Sequence, residues 1–136
     1  MKSNVAIVVS DYYEDISSGL VDGFTNSLDP KFTIDTHNVS GTLEIPIILS
    51  SFSKKYDGFI VLSCIIKGET DHYDVVKNIA LPEIYKIAYA NNLIIGSGII
   101  TANNYEQALL RSKISKENYG GRAAVACHKL LSLINE

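Results

Sequence analysis

The chain has 136 residues, of which 46% are hydrophobic and 20% are charged, and its formal net charge is −3. This length fits one domain, residues 1–136, that can bury a core without disulfides or a structural metal. The 12 Lys and Arg residues form no basic block against 15 Asp and Glu residues, which argues against a nucleic-acid partner. Cys64 and Cys127 lack metal-ligand or CxxC spacing, so we expect both to be reduced core residues.

The first apolar run, Val5–Val9, is interrupted by Ser10 and Asp11. It is too short to cross a bilayer, and no signal-peptide cleavage pattern follows it. We therefore expect a cytoplasmic protein without a membrane partner.

Short β-branched runs then alternate with amphipathic stretches. Residues 5–9 predict a strand, and Asp29-Pro30 ends the helix that follows it. The apolar positions of that helix recur every four residues: Ile16, Leu20, Phe24 and Leu28. A second strand is predicted over 32–36 and a short helix over 44–54.

A third buried strand is predicted over 59–62, and Asp71 suits the N-cap of the next helix. Pro82 should kink or divide that helix. Its apolar positions are Val75, Val76, Ile79, Ile84, Ile87 and Ala88. The range 93–100 contains a fourth strand, and 107–111 belongs to another helix. The last helix carries an apolar face of Ala123, Cys127, Leu130 and Ile134, with Ala124 and Leu131 beside it.

Strands that are buried on both faces and each followed by a helix indicate a parallel sheet covered on both sides. With right-handed crossovers, the simplest topology is a three-layer α/β/α sandwich with a four-stranded parallel sheet, flavodoxin-like in type. Ligands of such sheets bind beyond the carboxyl ends of the strands. That rule selects the loops at 11–13, 40–44 and 64–72.

His72 is the best acid–base candidate in these loops. Its place at a helix start disfavours the imidazolium, whereas the nearby Glu69, Asp71 and Asp74 favour it. A histidine between such influences suits proton transfer near neutral pH, although a solvent-exposed histidine at a helix start is the alternative.

Other ligand motifs are absent from the sequence. Gly96-Ser97-Gly98 lacks the third glycine and the strand–turn–helix context of a dinucleotide site. The three histidines are too far apart in the sequence to suggest a metal-binding pair. We therefore expect neither a metal nor a cofactor.

Four segments resemble the lumazine synthase family: VAIVVSDYYEDISSGLVDGF, SGTLEIP, YDGFIVLSCIIKGETDHYDVV and GIITANNYEQALLRS. They occur in the family's order over nearly the whole chain, and G-E-T-D-H-Y-D is the most specific stretch. The resemblance implies a cofactor-free condensation of 5-amino-6-(D-ribitylamino)uracil with 3,4-dihydroxy-2-butanone 4-phosphate. The products are 6,7-dimethyl-8-ribityllumazine, phosphate and water, on the route to riboflavin.

The resemblance also implies roles for residues that bind the pyrimidine. Tyr12 corresponds to an aromatic that stacks on the ring, and Glu44, with Thr42 alongside, to the group that binds the ribityl hydroxyls. Without the resemblance, Tyr12 is an ordinary loop tyrosine and Glu44 a favourable charge in a first helical turn. Three more substrate contacts are implied: Leu43, Ile66 and Ser97.

The other half of the implied site handles phosphate and protons. Glu69 and Thr70 lie in the loop whose backbone N–H groups approach the phosphate in the family. His72 corresponds to the proton-transfer histidine and Arg111 to the phosphate-binding arginine, whose fork geometry suits a dianion. By itself, Arg111 would pass for a solvated helix residue.

Three positions depart from the family pattern: Ser97 replaces an aromatic, Tyr119 a lysine and Arg122 a glutamate. We expect activity with weakened substrate binding. One alternative is a non-catalytic flavin- or lumazine-binding or shell-forming protein of this fold. The other is a flavodoxin-like module that binds FMN or another phosphate ligand.

The resemblance further implies an active site between neighbouring subunits of a pentamer, which makes an isolated monomer inactive. Shell-forming members carry a segment ahead of the first strand, and here the strand begins at about Asn4. We therefore expect a pentamer or decamer rather than a sixty-subunit shell.

Overall fold

The computed structural model of the chain describes residues 3–68 and 72–135. In these residues, four strands form one sheet in which every neighbouring pair is parallel. They are β1 (Ser3–Ser10), β2 (Phe32–Val39), β3 (Gly58–Ile66) and β4 (Ile95–Ala102). The strand order is β2-β1-β3-β4.

Within the described part of the chain, five α-helices cover the two faces of this sheet. They are α1 (Glu14–Asn26), α2 (Ile45–Ser51), α3 (Tyr73–Ala90), α4 (Tyr105–Ser112) and α5 (Tyr119–Ile134). Helices α1, α4 and α5 contribute to the core on one face, and α2 and α3 to the core on the other. The predicted three-layer sandwich with a four-stranded parallel sheet is thus confirmed.

The central strands explain why the strand runs are so apolar. β1 hydrogen-bonds to β2 on one side and β3 on the other, and all nine residues of β3 are buried. Alternate residues of β3 belong to different cores: Ile60 and Leu62 to that of α1, α4 and α5, and Phe59 and Val61 to that of α2 and α3. A strand that packs helices on both faces needs apolar side chains at every position.

The strand order also determines where a ligand can bind. The chain leaves β1 for β2 on one side and then crosses back to β3 on the other side of β1. The connections after β1 and β3 therefore diverge, which opens a crevice at the carboxyl ends of these two strands.

Two sequence-based expectations for helices are corrected. Helix α1 ends at Asn26, so Leu28 lies in the turn beyond it and is 38% exposed rather than part of the buried stripe. Pro82 does not divide α3, which is continuous over Tyr73–Ala90. Pro82 and Asn78 both lie on the exposed side, where solvent can satisfy the carbonyl that the missing N–H leaves free.

The buried faces of two helices also differ from expectation. Helix α3 buries Ala80, Ile84 and Ala88, whereas Val75 and Ile79 are about half exposed, at 49% and 52%.

In α5 the buried set is Ala123, Ala124, Cys127 and Leu131, and Leu130 and Ile134 are exposed. Close approach of α5 to its neighbours selects this face. A side chain at Gly120 would meet the Leu20 carbonyl, and one at Gly96 would meet that of Ala123.

Candidate active site

A cavity of about 310 Å³ lies in the crevice at the carboxyl ends of β1 and β3. The described residues that line it come from the ends of β1 and β3, the loops after β1 and β2, and the start of α3: Ser10, Tyr12, Tyr13, Ser40, Gly41, Thr42, Leu43, Glu44, Cys64, Ile65, Ile66, His72 and Val76. The switch-point rule located this pocket from the sequence.

The loop after β1 places two aromatic side chains, Tyr12 and Tyr13, in the lining of the pocket. Asp11 donates its backbone N–H to the Val39 carbonyl at 3.2 Å, which ties this loop to the end of β2. Tyr12 is 62% exposed, and its ring meets that of Tyr13 edge to face, with centroids 4.9 Å apart. An exposed ring held by a neighbouring ring offers a surface on which a flat ligand can stack.

The loop after β2 closes into a single 3₁₀ turn over Thr42–Glu44, directly before α2. Within it, the Glu44 N–H donates to the Gly41 carbonyl at 3.2 Å. A Cβ at Gly41 would lie only 3.4 Å from the Glu44 carboxylate oxygen, so the carboxylate packs back over this glycine. Leu43 is 41% exposed and adds an apolar contact at the rim.

The carboxyl end of β3 forms an apolar wall of Cys64, Ile65 and Ile66. Burial raises the pKa of the Cys64 thiol to about 12, and the positive charge of Arg111 opposes this shift. A thiol with so high a pKa stays protonated near neutral pH, so Cys64 shapes the pocket and is a poor nucleophile.

His72 lines the pocket and is the N-cap residue of α3. Its carbonyl accepts from the Val76 N–H at 2.8 Å, and the residue is exposed. Between β3 and His72, Gly68 has φ +84°, a left-handed conformation that glycine adopts without the steric cost of a Cβ. Glu69, Thr70 and the predicted N-cap Asp71 lie outside the described residues.

Arg111 is not among the described residues that line the pocket. It lies in the last turn of α4, where Nη1 donates to the Thr101 carbonyl at 2.7 Å. Nε is 3.9 Å from a Glu117 carboxylate oxygen, and within 3–68 and 72–135 this buried nitrogen has no hydrogen-bond partner. The guanidinium therefore lies at the carboxyl end of β4, on the α1–α4–α5 side of the sheet.

Ser97 is also apart from the described pocket lining. It pairs with Val61 in the sheet and is half-buried. Of the other two positions that depart from the family pattern, Tyr119 packs against the core of α1, α4 and α5. The Arg122 guanidinium carbon lies 5.2 Å from the Tyr119 ring centroid.

Six of the residues predicted to form the site line the described pocket: Tyr12, Thr42, Leu43, Glu44, Ile66 and His72. Cys64 was predicted both as a core residue and as part of the ligand-binding loop at 64–72, whereas Val76 was predicted only as an apolar position of a helix. The predicted span of the loop after the third strand already contained Cys64, and the position of Val76 one turn after His72 was the available signal for that residue.

Within 3–68 and 72–135, no three His, Cys, Asp or Glu residues are placed to hold a metal ion. No helix in this part of the chain is long and apolar enough to cross a membrane.

The fold and its pocket define a flavodoxin-like α/β protein with a cavity at the switch point of its sheet, where proteins of this type bind small ligands. The sequence profile of 6,7-dimethyl-8-ribityllumazine synthase matches residues 2–135. The chain belongs to this family, which confirms the resemblance seen in its motifs.

Relatives carrying that name cover almost the whole chain. The protein of Bartonella tribocorum is 37% identical over 97% of this chain and 90% of its own length. The protein of Buchnera aphidicola subsp. Baizongia pistaciae is 39% identical over 98% of this chain and 89% of its own length. The protein of Limosilactobacillus reuteri is 35% identical over 96% of this chain and 89% of its own length.

Proposed function

We infer that this chain is the enzyme that makes 6,7-dimethyl-8-ribityllumazine from 5-amino-6-(D-ribitylamino)uracil and 3,4-dihydroxy-2-butanone 4-phosphate, a step of riboflavin biosynthesis. One observation carries the assignment of the site: Tyr12, Glu44 and His72, from three separate loops, line one cavity of about 310 Å³. Membership of the lumazine synthase family supplies the reaction.

The pocket suits the pyrimidine substrate in both shape and polarity. The Tyr12 ring stacks on the planar heterocycle, while Cys64, Ile65 and Ile66 provide the dry wall against which it packs. The Glu44 carboxylate accepts hydrogen bonds from the ribityl hydroxyls, since a charged acceptor binds hydroxyl donors strongly. Leu43, beside Glu44, contacts the same substrate.

The reaction begins when the 5-amino nitrogen attacks the ketone carbon and water leaves to give an imine. Phosphate is then eliminated, and the ribityl-bearing nitrogen closes the second ring with further loss of water. Each step moves a proton to or from carbon, nitrogen or oxygen. His72, exposed at the pocket lip, is the group we assign to this transfer.

We assign the phosphate to Arg111, together with the loop that contains Glu69 and Thr70. The arginine does not line the described pocket of its own chain, and this supports a site completed by a neighbouring subunit. We accordingly propose a pentamer or a decamer, with Arg111 of one chain facing the loops of the next. Each subunit is one domain over residues 1–136, and the assembly is cytoplasmic.

A turnover assay tests the function directly. Purified protein is mixed with both substrates, and lumazine fluorescence and phosphate release are followed separately. Because the condensation also proceeds slowly without a catalyst, a reaction without protein runs beside it. Rates well above that control establish the enzyme, whereas a correctly assembled oligomer no faster than the control would sink the assignment.

A further inference from the structure

Ser63 is an unusual residue in the most buried strand of the sheet. Among the nine residues of β3, GFIVLSCII, it is the hydroxyl-bearing one, and its exposure is 0%. A buried hydroxyl without a partner costs free energy, so a serine at this position needs a hydrogen bond.

The partner of Ser63 is Thr42, which lies 21 residues earlier in the chain. Their hydroxyl oxygens are 2.6 Å apart, and Thr42 is only 5% exposed. This distance is short for a hydrogen bond between hydroxyls. The bond joins the loop after β2 to a strand that is not its neighbour in the sheet.

Thr42 is the first residue of the 3₁₀ turn that presents Leu43 and Glu44 to the pocket. A 3₁₀ turn has poor hydrogen-bond geometry and little stability of its own. Gly41, which precedes it, has an extended backbone with φ −156° and adds no side chain that packs. The position of the Glu44 carboxylate therefore depends on what anchors Thr42.

We infer that the Thr42–Ser63 hydrogen bond is a positioning device for Glu44. The bond holds Thr42 and therefore the 3₁₀ turn in place, and the turn holds the Glu44 carboxylate where it can reach the ribityl hydroxyls. This inference rests on the proposed function, because it makes Thr42 and Ser63 determinants of substrate affinity. A displaced carboxylate weakens binding of the ribitylaminouracil more than it slows the later proton transfers at His72.

Four variants test this inference: Thr42→Val, Thr42→Ser, Ser63→Ala and the double variant Thr42→Val/Ser63→Ala. Thr25→Val is the matched control, because it removes a threonine hydroxyl that bonds within α1, to the Val21 carbonyl at 2.8 Å. KM for each substrate and kcat are measured for all five. We expect Thr42→Val and Ser63→Ala to raise KM for the ribitylaminouracil roughly five- to tenfold, with kcat within about twofold.

The other variants separate positioning from stability. Thr42→Ser keeps the hydroxyl and should bring KM back towards that of the unaltered chain. The double variant removes both polar groups, so thermal unfolding should return close to the original midpoint. The KM of the double variant should stay raised, because an apolar contact, unlike a hydrogen bond, does not fix the orientation of the 3₁₀ turn. A double variant with both stability and KM restored overturns the inference.

Hydrogen exchange gives a readout that does not depend on catalysis. Thr42→Val should speed exchange of the Glu44 amide, which bonds to the Gly41 carbonyl, and leave the amides of α1 unchanged. If the unaltered chain shows no turnover, the proposed function fails while exchange still tests the anchor. If turnover is present but neither KM nor exchange changes in Thr42→Val, the anchor is refuted and the function stands.

Discussion

Arg111 donates a hydrogen bond from Nη1 to the backbone carbonyl of Thr101 across 2.7 Å, which ties the end of α4 to the end of β4. One edge of the guanidinium is thereby occupied, and the remaining N–H groups keep a fixed direction. A fork held in this way suits the phosphate role that we propose for Arg111, because its geometry matches a dianion.

Replacing Arg111 by Lys keeps the charge but removes both the fork and the anchor to Thr101. We expect kcat/KM to fall roughly ten- to a hundredfold, the range for loss of a hydrogen bond to a charged group, with the larger part in KM for the butanone phosphate. Steady-state kinetics measures this. Arg122→Lys is the matched control, since that exposed guanidinium lies over the Tyr119 ring. An Arg111→Lys enzyme with unaltered kinetics would exclude the phosphate role.

His72→Ala should reduce kcat by about a hundredfold, the lower end of what general acid–base catalysis contributes. The effect is limited because the condensation also proceeds without a catalyst. Single-turnover fluorescence of the product separates this effect from substrate binding. His128→Ala is the control: this residue pairs with Asp29 at 2.8 Å, far from the pocket, and its loss should affect stability only. A kcat equal to that of the unaltered chain in His72→Ala would remove the histidine from the mechanism.

Glu44→Gln preserves the size of the side chain and removes its charge. Charge-assisted hydrogen bonds are about twice as strong as neutral ones, so KM for the ribitylaminouracil should rise about tenfold. Glu83→Gln serves as the comparison, because Glu83 is an exposed partner of Lys86 on α3. Isothermal titration with the lumazine product should show that Glu44→Gln weakens its binding by the same factor. Equal affinities of Glu44→Gln and Glu83→Gln for this product would exclude Glu44 as the ribityl anchor.

The two buried cysteines predict how stability depends on alkaline pH. Burial raises the pKa of both Cys64 and Cys127 from 9.0 to about 12, so between these values the unfolded chain loses thiol protons that the folded chain keeps. The free energy of unfolding should therefore fall as pH rises from about 9 towards 12, by up to about 1.4 kcal/mol per pH unit for each cysteine. Urea unfolding of the Cys64→Ala/Cys127→Ala variant should show a shallower decline, and an identical slope would contradict the shifts.

Gly96→Ala should destabilise the fold by about 1–3 kcal/mol, the usual cost of overpacking. The added methyl would meet the backbone carbonyl of Ala123, and a helix backbone cannot move aside as a flexible side chain can. Gly41→Ala is the matched control for stability, because its added methyl would come no closer than 3.4 Å to the end of the Glu44 side chain. Equal unfolding midpoints for the two variants would show that α5 has room to shift.

The spacing of apolar residues was sufficient to predict which residues are buried where a helix carries those residues on a single face. The four-residue spacing of Ile16, Leu20, Phe24 and Leu28 predicted a helix face. The first three of these residues are buried, whereas Leu28 lies beyond the end of α1. The same reasoning misplaced Val75 and Ile79, because a helix with apolar residues on several sides gives no sign of which side meets the sheet. Only the packing of Ile84 in the core of α2 and α3 decides it.

The same distinction between local sequence and long-range packing applies to the residues of the site. The rule for parallel sheets located the loops, and the family motifs located Tyr12, Glu44 and His72, since both depend on order along the chain. The Thr42–Ser63 bond joins the loop after β2 to the interior of β3, and no spacing within either segment indicates it. The position of Arg111 relative to the pocket likewise depends on how α4 packs, which its eight residues do not encode by themselves.

The strand order has a consequence for how the protein responds to its ligand. A molecule in the pocket touches the ends of β1, β2 and β3 through their loops, and β1 is hydrogen-bonded to both of the others. No fragment of the chain that lacks one of these strands contains a complete pocket. Occupancy is therefore possible only when the sheet is assembled, so a ligand at a hundred times its Kd should add about 2.7 kcal/mol to the unfolding free energy of the whole sheet.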